Sequence, residues 1–374
     1  MDVLNVTAKK DEDTTIYGLD YFPFNPIQGT QYNTPGIIQI DIQNQDEYFL
    51  PHKSWLQFDL VFKKTDNTRW ENQNVTLINN AVMHLFQNIK YLLGGNEIES
   101  LNHPGQATTM LGLLKYEKSY SGLSECWALD TNNAIADNDG FTKKKAYILA
   151  LAAPNKGTVS FAVDLEHFSG FAEDYDKVIF GQRQSLQFNR KANSDDAIYR
   201  DGNVVGKVEI KKITWWMARV KPSVIEGTRL GQLNLAKEQA IDLWFRSRQC
   251  STITIPVNTS SYTWNLGVKT ERPRFVVVGF QTARTGQTHN NALFDHCNVT
   301  NMKVRINSAE FPTIDVNSNF NLNQYGGWYR QFMDFKRSFY GVDKMLSCTA
   351  VDIKAYKDLY PLYVFDASRQ VETQ

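Results

Sequence analysis

The sequence predicts an all-β protein made of two tandem antiparallel sandwiches with short inserted helices. Short runs that alternate apolar and polar residues recur along the whole chain with turn residues between them, the pattern of a half-buried strand. Helical periods are brief and stand between such runs. A hairpin-and-helix block occurs twice, and at 374 residues the chain is long enough for two domains of ordinary size.

Taken in order, residues 1–16 form an N-terminal arm. Lys9 and Lys10 stand beside Asp11, Glu12 and Asp13 with no apolar period to bury. The first sandwich is expected over 17–222. It begins with an aromatic, Pro-rich stretch, YFPFNP at 21–26, that suits an extended segment crossing a surface. Strands are expected at 37–42, 54–62, 158–165, 178–180, 185–188 and 207–215, with a further apolar stretch at 79–93 and a polar excursion at 130–140. The second sandwich, 223–374, opens with a linker that is helix-compatible to residue 239. Strands follow at 241–248, 251–255, 262–264, 274–280 and 362–365, and the chain ends in a polar tail. Each half has enough strands for an eight-stranded jelly roll, which closes off most sheet edges by packing two sheets together.

The repeated block is NIKYLLGGNEIES at 88–100 followed by KYEKSYSG at 115–122, against NMKVRINSAEFPT at 301–313 followed by DFKRSFYG at 334–341. Asn88 matches Asn301, Lys90 matches Lys303, Glu97 matches Glu310, Ser119 matches Ser338 and Gly122 matches Gly341. Gly94 with Gly95, and Asn307 with Ser308, are small residues that accept positive φ at a hairpin turn. Beyond the turn the period becomes helical. Leu113, Tyr116 and Tyr120 share one stripe, Trp328, Phe332, Phe335 and Phe339 share the other, and Gly122 and Gly341 stand where a helix stops. The two aromatic stripes are expected to be packing residues rather than ligand contacts.

Lys plus Arg and Asp plus Glu number 40 each, so no global field draws nucleic acid or an anionic membrane, and strong direct DNA binding is not expected. Aromatics at 13% against 21% charged residues suit pleated surfaces and large subunit interfaces. Cys126, Cys250, Cys297 and Cys348 fall outside any CxxC pair and read as reduced thiols. No apolar run has the length of a signal peptide core or a membrane span, so the chain is expected not to be secreted, and the sequons at Asn5, Asn74, Asn258 and Asn298 to stay unused.

Searching for catalytic chemistry yields no phosphate loop, no HExxH and no nucleophile elbow. The stretch 289–297, with Asp295, His296 and Cys297, fits no common zinc spacing and reads as a loop. Asp174, Asp176, Asp195 and Asp196 are expected to be solvated turn residues, and Arg246 with Arg248 to serve an interface or a strand edge. No enzyme activity, cofactor or metal is expected.

Several phrases, ITWWM at 213–217, VKPS at 220–223, FRSRQ at 245–249, SFYG at 338–341 and LYPLYVFD at 359–366, together with the doubled block, resemble the double jelly-roll major capsid proteins. The kind is that of Polinton and adintovirus-like elements, in the tectivirus and adenovirus lineage, and the resemblance covers roughly residues 17–370. It implies a subunit with two upright jelly rolls, homotrimers of pseudo-hexagonal outline, and an icosahedral shell around a double-stranded DNA genome. A penton or vertex protein and minor capsid proteins are the implied partners, and the virion, assembled inside the host cell, the implied location. The loops are short for a tall outer tower. Jelly rolls also serve lectins and hydrolases, so a carbohydrate-binding or hydrolytic β-sandwich is the alternative.

Overall fold

The computed structural model describes residues 15–27, 29, 31–44, 46–70, 74–117, 120, 122–235, 241–267, 272–342 and 350–369. The arm through residue 14, Ser119, Cys348 and the tail from residue 370 lie outside them.

Among the described residues the first half contains ten strands: β1 (Ile16–Phe24), β2 (Gly36–Ile42), β3 (Tyr48–Lys64), β4 (Val75–Leu77), β5 (Phe86–Leu93), β6 (Asn96–Asn102), β7 (Thr158–Asp164), β8 (Gln184–Arg190), β9 (Ile198–Arg200) and β10 (Gly206–Pro222). Helices α1 (Ala81–His84), α2 (Pro104–Lys115), α3 (Asp139–Ile148), α4 (Leu165–Phe168) and α5 (Gly170–Asp174) are inserted between them. Eight of the strands form two four-stranded antiparallel sheets, ordered β1-β10-β3-β7 and β2-β8-β5-β6, and β4 pairs with β9. Chain order alternates between the two sheets except at the β5–β6 hairpin, the jelly-roll connection.

Period-two patterning places the core. Leu56, Phe58, Leu60 and Phe62 of β3 point inward, as do Val159, Phe161 and Val163 of β7, and they meet Ile89 and Tyr91 of β5 and Leu186 and Phe188 of β8. Phe58 lies 6.0 Å from Phe86 and 6.4 Å from Phe188 by ring centroid, and Tyr91 meets Trp215 edge-on at 6.0 Å. The 17-residue β10 carries bulges at Ile210/Lys212 and Trp216/Ala218: across the first, Val208 and Ile210, then Ile213, Trp215 and Met217, all join the inner core, and beyond the second Ala218 and Val220 join Leu50 in a separate cluster. The stretch expected to cross a surface is the edge strand β1, and strand structure there begins at Ile16, inside the expected arm. Helix α3, hidden in the sequence by the polar run before it, starts where the Asn138 side chain accepts a hydrogen bond from the Phe141 N–H at 3.0 Å.

After β10 comes α6 (Val224–Leu235), then residues 241–267, which carry no helix or strand, then β11 (Phe275–Gly279), β12 (Val304–Ile306), β13 (Ala309–Phe311), α7 (Gly326–Tyr340), α8 (Ile353–Asp358) and β14 (Leu362–Asp366). Among the described residues this half has two two-stranded ladders, β11 with β14 and β12 with β13. The runs 241–248, 251–255 and 262–264, expected as strands, have no ladder partner. Alternation makes a backbone extended but does not supply a second strand. Here 245–250 docks on the first half instead, and all of 251–267 is exposed. The second core packs α7 on β14, with Trp328 edge-on to Tyr363 at 5.1 Å and Phe335 edge-on to Phe275 at 5.1 Å. Gly341 ends α7 at φ 65°, a left-handed position that favours glycine.

Candidate assembly surface and the junction between the halves

The expected repeat residues fall into two kinds. In the hairpins the match is physical: Lys90 pairs with Glu97 at 2.6 Å across the β5–β6 tip, and Lys303 pairs with Glu310 at 3.3 Å across the β12–β13 tip. The turns use positive φ in both copies, at Gly94 and Gly95 in one and Asn307 in the other. Asn88 and Asn301 differ. Asn88 sits in the β5 ladder and donates to Ser100 Oγ and Asn102 Oδ1, whereas Asn301 is outside any strand and its Oδ1 accepts from the Val316 N–H.

The helices require a correction. α2 ends at Lys115, and Tyr116 already has extended backbone, so Tyr116 and Tyr120 do not continue a helical stripe. Gly122, at φ −84°, precedes a short 3-10 turn (Leu123–Glu125) instead of stopping a helix. Tyr116 and Tyr120 nonetheless stack at 4.2 Å beside Trp127, because the chain folds back there. Phe335 is buried in the second core, Phe339 is half-buried, and the Ser338 hydroxyl donates to Asp366. α2 and α7 pack against each other, and Lys336 Nζ lies 2.7 Å from Glu117 Oε1.

Arg246 and Arg248 serve a junction between the halves. The Arg246 N–H and Nε donate to Asp174 Oδ2 at 2.7 and 2.8 Å, Nη2 donates to Asp174 Oδ1, and Nη1 donates to the Phe339 carbonyl at 2.7 Å. Its guanidinium lies 3.7 Å over the Phe339 ring. Asp174 is therefore held in an ion pair and is not the solvated turn residue its sequence context suggests. Asp196 is likewise paired, with Lys191 at 2.8 Å, and Asp195 Oδ1 accepts from Gln287. Arg248 donates to the His167 and Glu166 carbonyls and pairs with Glu173. Glu173 also takes Lys115 at 2.8 Å and the Tyr340 hydroxyl at 2.8 Å. Burial alone would raise the Glu173 carboxyl, but Arg248 and Lys115 outweigh it and hold it down at about 2. Gly170 lets the chains close, since a Cβ there would sit 1.9 Å from the Arg246 carbonyl oxygen.

Behind this junction Glu99, buried on β6, accepts from the Ser169 hydroxyl at 2.6 Å and the Gly170 N–H at 2.8 Å. His167 is buried too. With the ring neutral, its Nε2–H donates to Asn80 Oδ1 at 3.0 Å and its Nδ1 accepts from the Tyr116 hydroxyl at 2.8 Å. Burial, with Lys115 and Arg248 nearby, pushes its pKa down to about 3. No sequence spacing pointed to Glu99, Glu173 or His167, whose partners are 51 to 167 positions away.

Elsewhere, a cleft of about 380 Å³ between α7 and β14 is walled by Phe275, Phe311, Phe335 and Phe365. In the 289–297 stretch Asp295 pairs with Arg284 at 2.6 Å, and His296 stacks on Phe320 at 4.5 Å. Among the described residues no group of three or more His, Cys, Asp or Glu is placed to hold a metal ion, and no helix is long and apolar enough to cross a membrane. The large exposed apolar side chains concentrate on β1, on the start of α6 and on 241–267.

A family model of the double jelly roll-like domain matches residues 75–374. No curated protein matches the chain. Among solved structures, a quasi-atomic model of the PBCV-1 virus capsid aligns over 97% of this chain and 82% of its own, at 11% identity and a TM-score of 0.53. The Sputnik virophage structure aligns over 59% of this chain and 51% of its own at 12% identity and a TM-score of 0.43, and the mavirus major capsid protein over 59% and 50% at 11% and 0.37. The chain thus spans about half the length of the Sputnik and mavirus chains. The PBCV-1 alignment shows the shared fold, all-β with two jelly rolls and short helices, and with the match over residues 75–374 the chain belongs to the double jelly roll-like domain family.

Proposed function

We propose that this chain is the major capsid protein of a DNA virus or virus-like element of the Polinton kind. Three copies form a homotrimer of pseudo-hexagonal outline, and trimers tile an icosahedral shell around a double-stranded DNA genome. The observation that carries the reading is a fold shared with the PBCV-1 capsid chain along nearly the whole length. Two further features support it. The chain carries equal numbers of acidic and basic residues, which suits a shell more than a nucleic-acid sleeve. Its large exposed apolar side chains are grouped on β1, the start of α6 and 241–267, which supports contact with other protein. A closed cyclic trimer presents one patch of each copy to a different patch of the next, over an interface of more than about 1,000 Å². Penton and minor capsid proteins are the further partners of such a shell, its location is the virion, and the role is structural, not catalytic.

Light scattering of the purified full chain at micromolar concentration, followed by negative-stain imaging, tests the reading. Trimers that close into particles support it. A strict monomer overturns it, and a monomer that binds sugar favours the β-sandwich alternative.

A further inference from the structure

Lys144, Asp130 and Asn290 meet in a site closed to solvent. The Lys144 and Asp130 side chains are 4% and 1% exposed, and Asn290 is 1% exposed. Lys144 Nζ donates to Asp130 Oδ1 at 2.9 Å and Asn290 Nδ2 donates to Asp130 Oδ2 at 2.8 Å, so an amine and an amide bind the two oxygens of one carboxylate. The three residues come from different places. Asp130 precedes α3, Lys144 is on the face of α3 that also buries Phe141 and Ile148, and Asn290 belongs to the second half, 160 positions from Asp130.

Each member is held in place. Nζ also donates to the Ala128 carbonyl at 3.0 Å, and the buried Tyr360 hydroxyl donates to the Asp130 carbonyl at 2.8 Å. Gly140 lets α3 approach, since a Cβ there would sit 2.1 Å from the Leu129 carbonyl oxygen. Asn290 Oδ1 accepts from the Ala292 N–H at 3.1 Å, which turns Nδ2 toward Asp130. A lysine is rarely buried this completely. Because apolar residues of the same volume often stabilise a core as well as a buried ion pair does, stability alone does not account for the placement.

The arrangement holds the groups that amide exchange needs. They are an amine, an amide carbon one bond beyond Nδ2 and within the swing of the lysine side chain, a carboxylate bonded to both nitrogens, and a backbone N–H on the amide oxygen. We propose that Lys144 and Asn290 join in an isopeptide bond, with Asp130 as the proton carrier, and so tie the two halves of the chain covalently. Asp130 takes a proton from the Lys144 ammonium, a transfer that burial favours because it removes two charges from a site without water. The Nζ lone pair attacks Asn290 Cγ, and the C=O electrons move to Oδ1, where the Ala292 N–H receives the charge. As the carbonyl re-forms, the Cγ–Nδ2 bond breaks with its electron pair on Nδ2. Two of the three Nζ protons pass through Asp130 to Nδ2, which leaves as ammonium, and Asp130 ends as the carboxylate it was. No oxidant or cofactor is consumed. The bond closes a long loop, the kind of cross-link that restricts the unfolded chain most. It forms within one copy, so it stands or falls apart from the shell reading.

Mass spectrometry of the purified full chain, denatured and reduced, tests this beside a Lys144→Arg variant that keeps a cation for Asp130 but lacks the attacking amine. The expected parent mass is that of the sequence less one ammonia, and digestion should yield a branched peptide joining Lys144 to Asn290. The Lys144→Arg chain should carry its full mass. A parent of full mass, with Lys144 and Asn290 in separate linear peptides, means an ion pair only and overturns the proposal. Ammonia loss without the branched peptide overturns it as well. Asp130→Asn should lower the linked fraction by about tenfold or more in chains that still melt cooperatively, and linkage at the parent's level there overturns the role of Asp130.

Discussion

The two hairpins β5–β6 and β12–β13 carry the same Lys–Glu pair across their tips, yet only the first is built into a core. β5 runs between β8 and β6, and its Ile89 and Tyr91 are buried. Among the described residues β12 has β13 alone as a partner, and its Val304 and Ile306 are half-buried. A similar local pattern therefore makes a similar hairpin, and the number of neighbouring strands decides how much it buries. The halves differ in the same way. The first closes its apolar faces between two four-stranded sheets, while the second packs one aromatic helix on one ladder and leaves 251–267 in solvent.

The largest expected effects compare the two cores directly. Trp215 and Trp328 are both fully buried, the first between sheets and the second between α7 and β14. Trp215→Ala and Trp328→Ala should each cost about 3–5 kcal/mol, because each leaves a large cavity. Phe335→Ala belongs in the same range, whereas Phe339→Ala should cost less because that ring is half-buried under Arg246. Denaturant titration of the four variants measures this. A Trp328→Ala protein as stable as the parent would mean that the second core contributes little to a free chain.

The junction comes next. Glu173→Gln removes the negative charge that Arg248 and Lys115 share and turns one of its two acceptor oxygens into an NH2 donor, leaving two cations unneutralised at a nearly inaccessible side chain. Breaking a buried pair in this way should cost about 3 kcal/mol. The loss should also raise cleavage by protease within 241–267 if the junction fixes that stretch to the first half. Unchanged melting with unchanged cleavage would show that the halves are held by α2 and α7 packing alone.

Much of the first half is legible in the sequence because buried strands there alternate cleanly: 37–42, 54–62, 158–165 and 185–188 all become strands. The full length of β3 is not, since Phe49, Leu50 and Pro51 break the alternation before Ser54. The expected strand at 178–180 is reduced to a single bridge between Ile179 and Phe49. In the second half, alternation at 251–255 and 262–264 shows extended backbone and cannot show whether a partner strand is present. The junction was half legible. The FRSRQ run pointed to an interface, but Asp174 and Glu173 stand more than seventy positions from their arginines, and no local spacing encodes that.

Acid should act on the first half more than on the second. His84 and His167 are buried there with pKa values depressed to about 3, by burial first and then by Lys191 for His84 and by Lys115 and Arg248 for His167. In the unfolded chain each takes a proton near pH 6.5. Their contribution is therefore complete above pH 6.5 and is lost as pH falls toward 3, by up to about 1.4 kcal/mol per pH unit for each ring. Glu125 opposes them. Burial, with Asp164 and Glu166 close by, raises it to about 7, so it favours the folded state most below pH 4.5 and progressively less as pH rises to 7. Two rings outweigh one carboxyl between pH 4.5 and 6.5, and stability should fall on acidification across that window. His167→Gln should flatten the dependence. Equal urea midpoints at pH 5 and pH 7 in the parent would refute the assignment.

The smallest effects belong to the hairpin tips, where the two halves are most alike. Lys90 and Glu97 are both well exposed, so a double-mutant cycle with Lys90→Ala and Glu97→Ala should give a coupling of only about 0.2–1 kcal/mol at low salt. Lys303 is arranged differently: besides Glu310 it meets Asp315 at 2.8 Å, and Glu310 also takes Arg305. Removing Lys303 therefore leaves Glu310 a second cation, whereas removing Lys90 takes away the cation paired with Glu97. The coupling in the first hairpin should accordingly exceed that between Lys303 and Glu310, even though the second site holds more charges. Both should shrink when salt is raised to about 1 M, where the screening length falls to roughly 3 Å. A larger, salt-resistant coupling at Lys303 would mean that the second tip is covered, and therefore that β12–β13 has a neighbour beyond those found among the described residues.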